Sequence, residues 1–111
     1  MAANLKELVR DNLSTTAADL IVSGSTESIF IGQLVFKNNS TTESREVTVW
    51  ILPDGVSDTT DNILAIRTIP AGKSWICQEA LGQALTGGSL LKSKQDAGTD
   101  VHVVGSGVVE V

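Results

Sequence analysis

The last segment of the chain, residues 100–111, reads DVHVVGSGVVEV. Its even positions include His102, Ser106 and Glu110, whereas its odd positions carry valine or glycine. The apolar odd positions are Val101, Val103, Val109 and Val111. This alternation with a period of two predicts a β-strand with one buried face. Gly105 and Gly107 remove two side chains at mid-strand, which indicates a bend or the close approach of another segment.

Similar segments precede this one along the chain. Residues 45–52, REVTVWIL, alternate apolar and polar side chains and end at Pro53-Asp54-Gly55, a sequence suited to a turn. Val, Ile and Thr are abundant, and Gly, Ser, Asn and Asp interrupt them at short intervals, as strands and turns require. The predicted strands are Ala17–Ser23, Ser28–Lys37, Arg45–Leu52, Asn62–Ile69, Lys73–Gln78, a segment around Ser89–Ser93, and Asp100–Val111.

These short strands lack a βαβ rhythm, so the predicted fold is all-β: an antiparallel, jelly-roll-like β-sandwich with short or no helix. The 111 residues are too few for two separate cores. We therefore expect an N-terminal segment or arm, residues 1–13, and a single sandwich domain, residues 14–111. The N-terminal segment has three open conformations: a helical turn, a strand or a loose arm. Residues 80–85 are expected to form an irregular connection with one helical turn.

Composition excludes several classes of function. The chain has 8 Lys and Arg against 13 Asp and Glu, a net charge of −5, which argues against binding nucleic acid or an anionic membrane. One cysteine and one histidine leave no internal disulfide, no cysteine-based zinc site and little triad chemistry, so no metal or cofactor is expected. No apolar run approaches the ~18 residues of a spanning helix, and the charged N-terminal segment lacks a signal-peptide core. We expect a cytosol-like compartment.

The chemically capable side chains favour inert roles. His102 lies on the polar side of its strand pattern, and no Gly-x-Ser-x-Gly sequence is present, so a solvated histidine is predicted. Cys77 lies between apolar neighbours, which is typical of a buried, unreactive thiol. Asp54, Asp58 and Asp61 match no calcium-loop spacing and predict a solvated acidic loop. The protein is therefore expected not to be an enzyme.

Two strands, residues 28–37 and 45–52, have apolar residues on both faces. In residues 28–37 one face holds Phe30, Leu34 and Phe36, and the other holds Ile29, Ile31, Gln33 and Val35. In residues 45–52, a core face made of Val47, Val49 and Ile51 would turn Trp50 outward, and exposed Trp is typical of partner surfaces. The alternative is that both faces are covered within the same molecule. Trp75 is predicted to lie in the core. The candidate residues for contact with a partner or with a second copy of the chain are Leu5, Leu8, Val9, Ile29, Ile31, Trp50 and Leu52.

The order of turn and strand motifs over residues 28–111 carries a family resemblance. In chain order the motifs are Asn38-Asn39-Ser40, Leu52-Pro53-Asp54-Gly55, Ile63-Leu64-Ala65-Ile66, Ile69-Pro70-Ala71-Gly72-Lys73, Leu85-Thr86-Gly87-Gly88-Ser89-Leu90 and the closing Val101–Val111. This arrangement resembles small β-sandwich accessory proteins of tailed-phage virions. It looks most like the capsid-decoration proteins, also called staple or cement proteins, of short-tailed phages of the epsilon-fifteen type.

The resemblance implies a jelly-roll-like sandwich that binds across neighbouring major capsid protein subunits on the outside of the head. It also implies a homo-oligomer, with a dimer favoured, that is assembled in the host cytoplasm. Residues 1–13 are not part of the recognised pattern. Three alternatives stay open: a tail, collar or fibre-attachment subunit, a carbohydrate-binding module that uses Trp50, and an enzyme that uses His102.

Overall fold

The computed structural model describes residues 3–111; Met1 and Ala2, the start of the predicted N-terminal segment, lie outside the described residues. The described chain contains β-strands and two short 3-10 turns, Thr60–Asn62 and Gln78–Ala80, which confirms the all-β prediction. The strands are β1 (Ala3–Asn12), β2 (Ala18–Val22), β3 (Ser28–Asn38), β4 (Arg45–Leu52), β5 (Ile63–Ile69), β6 (Ser74–Ile76), β7 (Ala84–Thr86), β8 (Leu90–Gln95) and β9 (Val101–Glu110).

The strands form two antiparallel sheets that pack face to face. Sheet A has the order β1-β9-β3-β6, with the short β7 also paired to β3, and sheet B has the order β2-β8-β4-β5. The pairs are nested: β1 pairs with β9, β2 with β8, β3 with β6 and β7, and β4 with β5. A long hairpin rolled into two sheets produces this nesting, which is the arrangement of a jelly roll.

The described part of the N-terminal segment forms a strand, one of the three conformations considered for that segment. Residues 3–12 form β1, which pairs antiparallel with β9 from Ala3 opposite Glu110 to Asn12 opposite His102. Leu13 follows, buried in the core, and its N–H donates to the carbonyl oxygen of Val101 at 2.8 Å. β1 is therefore hydrogen-bonded to the sandwich along its whole described length.

The middle connection differs from the expectation for residues 80–85: its short helical turn lies earlier in the chain, and an additional strand follows. The 3-10 turn Gln78–Ala80 is followed by β7, which pairs with β3 from Phe30 opposite Ala84 to Ser28 opposite Thr86. Gly82 and the pair Gly87-Gly88 adopt positive φ angles on either side of β7. These glycines interrupt the local pattern, which is why the sequence did not indicate a strand there.

The core lies between the two sheets and is apolar. Phe36 and Trp75 stack inside it with ring centroids 5.3 Å apart, which confirms the core position predicted for Trp75. Each fully buried large side chain contributes about 1.5–3 kcal/mol relative to an exposed one. The largest fully buried apolar side chains are Phe36, Leu13, Ile31, Leu34, Leu52, Ile69, Leu85, Leu91, Val47, Val49 and Val101.

The two glycines of β9 lie where neighbouring strands approach closely, as predicted. A Cβ atom on Gly107 would collide with the carbonyl oxygen of Phe30 and lie 2.9 Å from Cδ1 of Leu8. A Cβ atom on Gly105 would lie 2.9 Å from Cγ1 of Val9 and 3.0 Å from Cδ1 of Leu34. The glycines are therefore required by space at the centre of sheet A.

The two strands that flank β9, β1 and β3, each have an irregularity opposite its two glycines. The register of β3 shifts between Ile31 and Gln33, and the register of β1 shifts between Glu7 and Val9. An extra residue in a strand reverses which face the following side chains occupy. In β3 the buried residues are accordingly odd-numbered before the shift, Ile29 and Ile31, and even-numbered after it, Leu34, Phe36 and Asn38.

Candidate interaction surface

The outward side of sheet A is an open, regular surface. In β9 the odd-numbered residues are buried, so its even-numbered residues point away from the core. Residues directly opposite each other on paired strands share a face, so the register identifies their outward neighbours. We call this surface the sheet A outer face. It consists of rows that run across the strands, and it includes Leu5, Glu7, Arg10, Val104, Ser106, Val108, Phe30, Gln33, Val35, Ile76 and Ala84.

One apolar row lies near the N-terminal end of β1. It runs from β1 across β9 and β3 to β7 and consists of Leu5, Val108, Phe30 and Ala84. The side chain of Leu5 is 81% exposed and that of Phe30 is 43% exposed. Val108 lies between them, so the row forms a continuous apolar patch, which is typical of a contact surface.

A second apolar row lies further along the same face. Val104, Val35 and Ile76 are neighbours across β9, β3 and β6, and Arg10 of β1 ends the row. Ile76 is 46% exposed. Between the two apolar rows lies a polar one, made of Glu7, Ser106 and Gln33. The face thus combines apolar patches with hydrogen-bonding groups, as protein interfaces do.

The outward side of sheet B differs because a loop covers part of it. The loop between β4 and β5, residues 53–62, lies over Trp50, whose indole Nε1–H donates to the carbonyl oxygen of Thr59 at 3.0 Å. Lys92, directly opposite Trp50 on β8, has its Nζ atom 3.4 Å from Asp58 and 3.7 Å from Asp19. The acidic loop therefore serves to cover an apolar residue of sheet B.

The predicted interface residues do not form one exposed patch. Leu5 lies on the sheet A outer face, and Leu8 is partly buried at the β1 irregularity. The other five are buried: Val9, Ile29, Ile31, Trp50 and Leu52 are at most 8% exposed. The expectation that Trp50 and Leu52 face a partner is corrected, since both faces of β4 are covered within the molecule, as the alternative interpretation held.

The expectation for Ile29 and Ile31 is corrected for a different reason. A single alternation along the whole of β3 predicts that Ile29 and Ile31 lie on its outer face. The irregularity at Gly32 reverses the alternation, so Ile29 and Ile31 share the core with Leu34 and Phe36. Phe30 is the outward residue, and sequence reasoning missed it together with Ile76. The even positions Val104 and Val108 of the β9 pattern were the available signal.

Among the chemically capable side chains, Cys77 is buried, as predicted. Burial raises the pKa of the Cys77 thiol, which keeps it protonated and weakly nucleophilic. His102 is partly exposed, and its Nδ1 atom lies 2.6 Å from Oδ1 of Asn12. Within residues 3–111, no group of three or more His, Cys, Asp or Glu side chains is placed to hold a metal ion. The same residues include no helix with the length and apolarity needed to cross a membrane.

An open groove lies at one side of the sandwich, beside β6. It is lined by Arg67, Ser74, Trp75, Ile76, Gln78 and Glu79. The guanidinium carbon of Arg67 in β5 lies 5.4 Å from the centre of the Trp75 ring in β6. This cation–π contact joins the edge strands of the two sheets. Trp75 is only 7% exposed, which leaves the groove without an aromatic platform for a sugar.

Comparison with known proteins finds only weak structural similarity. No protein-family model matches the chain, and no curated protein matches it. One chain of the structure of infectious bursal disease virus Gx strain aligns with 97% of this chain at 13% identity and a TM-score of 0.42. A chain of the Gt strain structure aligns with 96% at 11% identity and a TM-score of 0.28. The chain spans 31% of the length of each, and at these scores the likeness carries no argument.

Proposed function

We propose that this protein is a non-enzymatic viral structural protein that binds the outer surface of a phage capsid and staples neighbouring major capsid protein subunits. The observation that carries the proposal is the sheet A outer face, with Leu5 and Phe30 exposed in one apolar row and Ile76 in another. The sequence resemblance of residues 28–111 to capsid-decoration proteins supplies the class of partner.

The shape of this face suits a protein partner. Small ligands are usually held in concave, enclosed pockets, whereas the sheet A outer face is a regular sheet surface that crosses four strands. A standard protein interface buries about 1,600 Å² in total, with an apolar centre and a polar rim. Two apolar rows on either side of Glu7, Ser106 and Gln33 offer this mixture of contacts.

Stapling requires no chemical step. A ligand that binds the assembled shell, and not the separate subunits, stabilises the shell by mass action. Because the contact is repeated over the whole shell, each copy can bind with modest affinity and the effects accumulate. The proposed role therefore needs exposed, rigid contact surface, which an antiparallel sheet supplies.

Two alternatives differ from this proposal in measurable ways. A tail, collar or fibre-attachment subunit would use the same fold at a few copies per particle. A carbohydrate-binding module was argued from an exposed Trp50, but Trp50 is 5% exposed and is covered by the loop of residues 53–62. The structure thus removes the residue on which the carbohydrate interpretation rested.

The test is co-sedimentation of the purified protein with undecorated phage heads, isolated tails and host polysaccharide, scored as copies bound per particle. The proposal predicts saturable binding to heads at hundreds of copies. Binding confined to tails, or to polysaccharide, would overturn it. A mixture with heads that already carry their full complement of the protein is the control for non-specific adsorption.

A further inference from the structure

The free edge of sheet A is β1, a ten-residue strand that pairs with β9 on one side only within residues 3–111. Its central residues 6–11 read KELVRD. The charges therefore run plus, minus, then two apolar residues, then plus, minus. When such a strand is turned end for end, each charge meets its opposite. An edge strand presents unpaired N–H and C=O groups that another strand can bind.

The four charges lie on two faces in matched pairs. Glu7 and Arg10 point outward, opposite Ser106 and Val104, and Nε of Arg10 lies 2.9 Å from Oε1 of Glu7. Lys6 and Asp11 lie opposite Gly107 and Val103, on the core-facing side of β9. Each face of the edge thus carries one positive and one negative group.

We infer that β1 binds β1 of a second copy of this chain, antiparallel, about a twofold axis between Leu8 and Val9. In this register Lys6 of one copy lies opposite Asp11 of the other, and Glu7 lies opposite Arg10. Leu8 lies opposite Val9 at the centre. The symmetry repeats each pair, so the edge gains four opposite-charge pairs.

The charges select this register over its neighbours. A shift that centres the axis on Leu8 places Lys6 opposite Arg10, and a shift that centres it on Val9 places Glu7 opposite Asp11. Both shifts bring like charges directly opposite each other, which destabilises a strand pair. One register therefore satisfies all four charges, and the registers one residue away on either side are repelled.

The irregularity of β1 makes the register possible. About a twofold axis perpendicular to the sheet, opposing residues must lie on the same face. In a regular strand Glu7 and Arg10, three residues apart, would lie on opposite faces. The register shift between Glu7 and Val9 reverses the alternation, so both lie on the outer face.

Charges and bulges on an edge strand also protect sheets against unwanted pairing. Protection and pairing are compatible here. The charges of β1 repel a strand with a different charge pattern, and they attract a second β1 that runs antiparallel. The resulting sheet would run through both copies, from β6 of one to β6 of the other. Both sheet A outer faces would then point the same way, which doubles the surface offered to one partner.

The test is sedimentation equilibrium of the purified protein and its variants, without heads, so its outcome does not depend on the capsid proposal. We expect the wild type to dimerise, and Glu7→Arg and Arg10→Glu each to weaken the dimer by about tenfold or more, because each turns two attractive pairs into repulsive ones. The double variant E7R/R10E should restore the dimer. Glu46→Arg, which makes the same charge change on the exposed part of β4, is the control and should dimerise like the wild type.

A mixture of the two single variants gives the sharpest readout. In a mixed dimer both outward pairs regain opposite charges, so native mass spectrometry should show mainly the heterodimer. Thermal melting of each variant checks that the fold is kept, and recovery in the double variant and the mixture excludes misfolding. A monomeric wild type would overturn the inference, as would a dimer that the charge reversals leave unchanged.

Discussion

At the scale of single residues, Trp50 has a structural role that its position in the strand conceals. Its indole N–H donates to Thr59 in the loop above it, and its cross-strand neighbour Lys92 lies 3.4 Å from Asp58 of the same loop. The ring thus fills the space between sheet B and the loop of residues 53–62. Its substitution should therefore change stability first and binding only as a consequence.

We expect Trp50→Ala to lower the free energy of unfolding by about 3–5 kcal/mol, the usual effect of removing a buried Trp side chain. Trp50→Phe keeps most of the packing and loses the hydrogen bond to Thr59, so it should lower stability less. Denaturant unfolding of both variants gives the comparison. A Trp50→Ala protein of wild-type stability that no longer binds heads would show instead that Trp50 contacts a partner.

Cys77 gives the protein a pH dependence with a defined sign. Burial raises the pKa of its thiol above the ordinary value of 9.0, so the unfolded chain loses this proton at a lower pH than the folded one. The stability that Cys77 contributes is therefore complete below pH 9.0 and falls as the pH rises through the folded-state pKa. We expect the free energy of unfolding to fall less steeply as the pH rises above 9.0 in Cys77→Ala than in the wild type. Denaturant unfolding of both proteins over this pH range measures the difference. Equal losses of unfolding free energy in the two proteins would contradict the expectation.

At the scale of elements, the sequence indicated β4 and β9 closely and left β3 ambiguous. The alternation of β9 is unbroken, and its odd positions, including Gly105 and Gly107, all lie on the core side. In β3 a single irregularity at Gly32 places residues of both parities in the core. No local pattern reveals such a change, since it depends on pairing with β9, which is distant in sequence. The prediction of the fold therefore succeeded, while the prediction of the exposed face failed.

The glycines beside this irregularity should differ in their tolerance of a side chain. A Cβ atom on Gly107 would meet the Phe30 carbonyl oxygen, which belongs to backbone and cannot move aside without breaking the pairing. A Cβ atom on Gly32 would lie 3.6 Å from the Ser106 carbonyl oxygen, an ordinary contact. We expect Gly107→Ala to lower the melting temperature strongly and Gly32→Ala to change it little. Similar melting temperatures for the two variants would contradict the packing described for sheet A.

At the scale of the whole molecule, the two outward surfaces have different roles. On sheet B, the loop of residues 53–62 covers Trp50, and the exposed Val22 and Ile66 lie apart on the two edge strands, β2 and β5. On sheet A, Leu5 and Phe30 are exposed in one row, with Val108 of β9 between them. An apolar surface of this kind is costly in water unless a partner covers it. The difference between the sheets therefore favours sheet A as the contact side in the proposed capsid binding.

The most direct test of this account is the binding of a surface variant to undecorated heads. Leu5→Ser combined with Phe30→Ser removes the two exposed large side chains of the apolar row, and Ile66→Ser, at a 51% exposed position of β5, is the control. We expect the double variant to keep its melting temperature and to bind heads more weakly by about 2 kcal/mol or more, with the control unchanged. If the double variant remained folded and saturated the heads with wild-type affinity, the sheet A outer face would not be the capsid-binding surface.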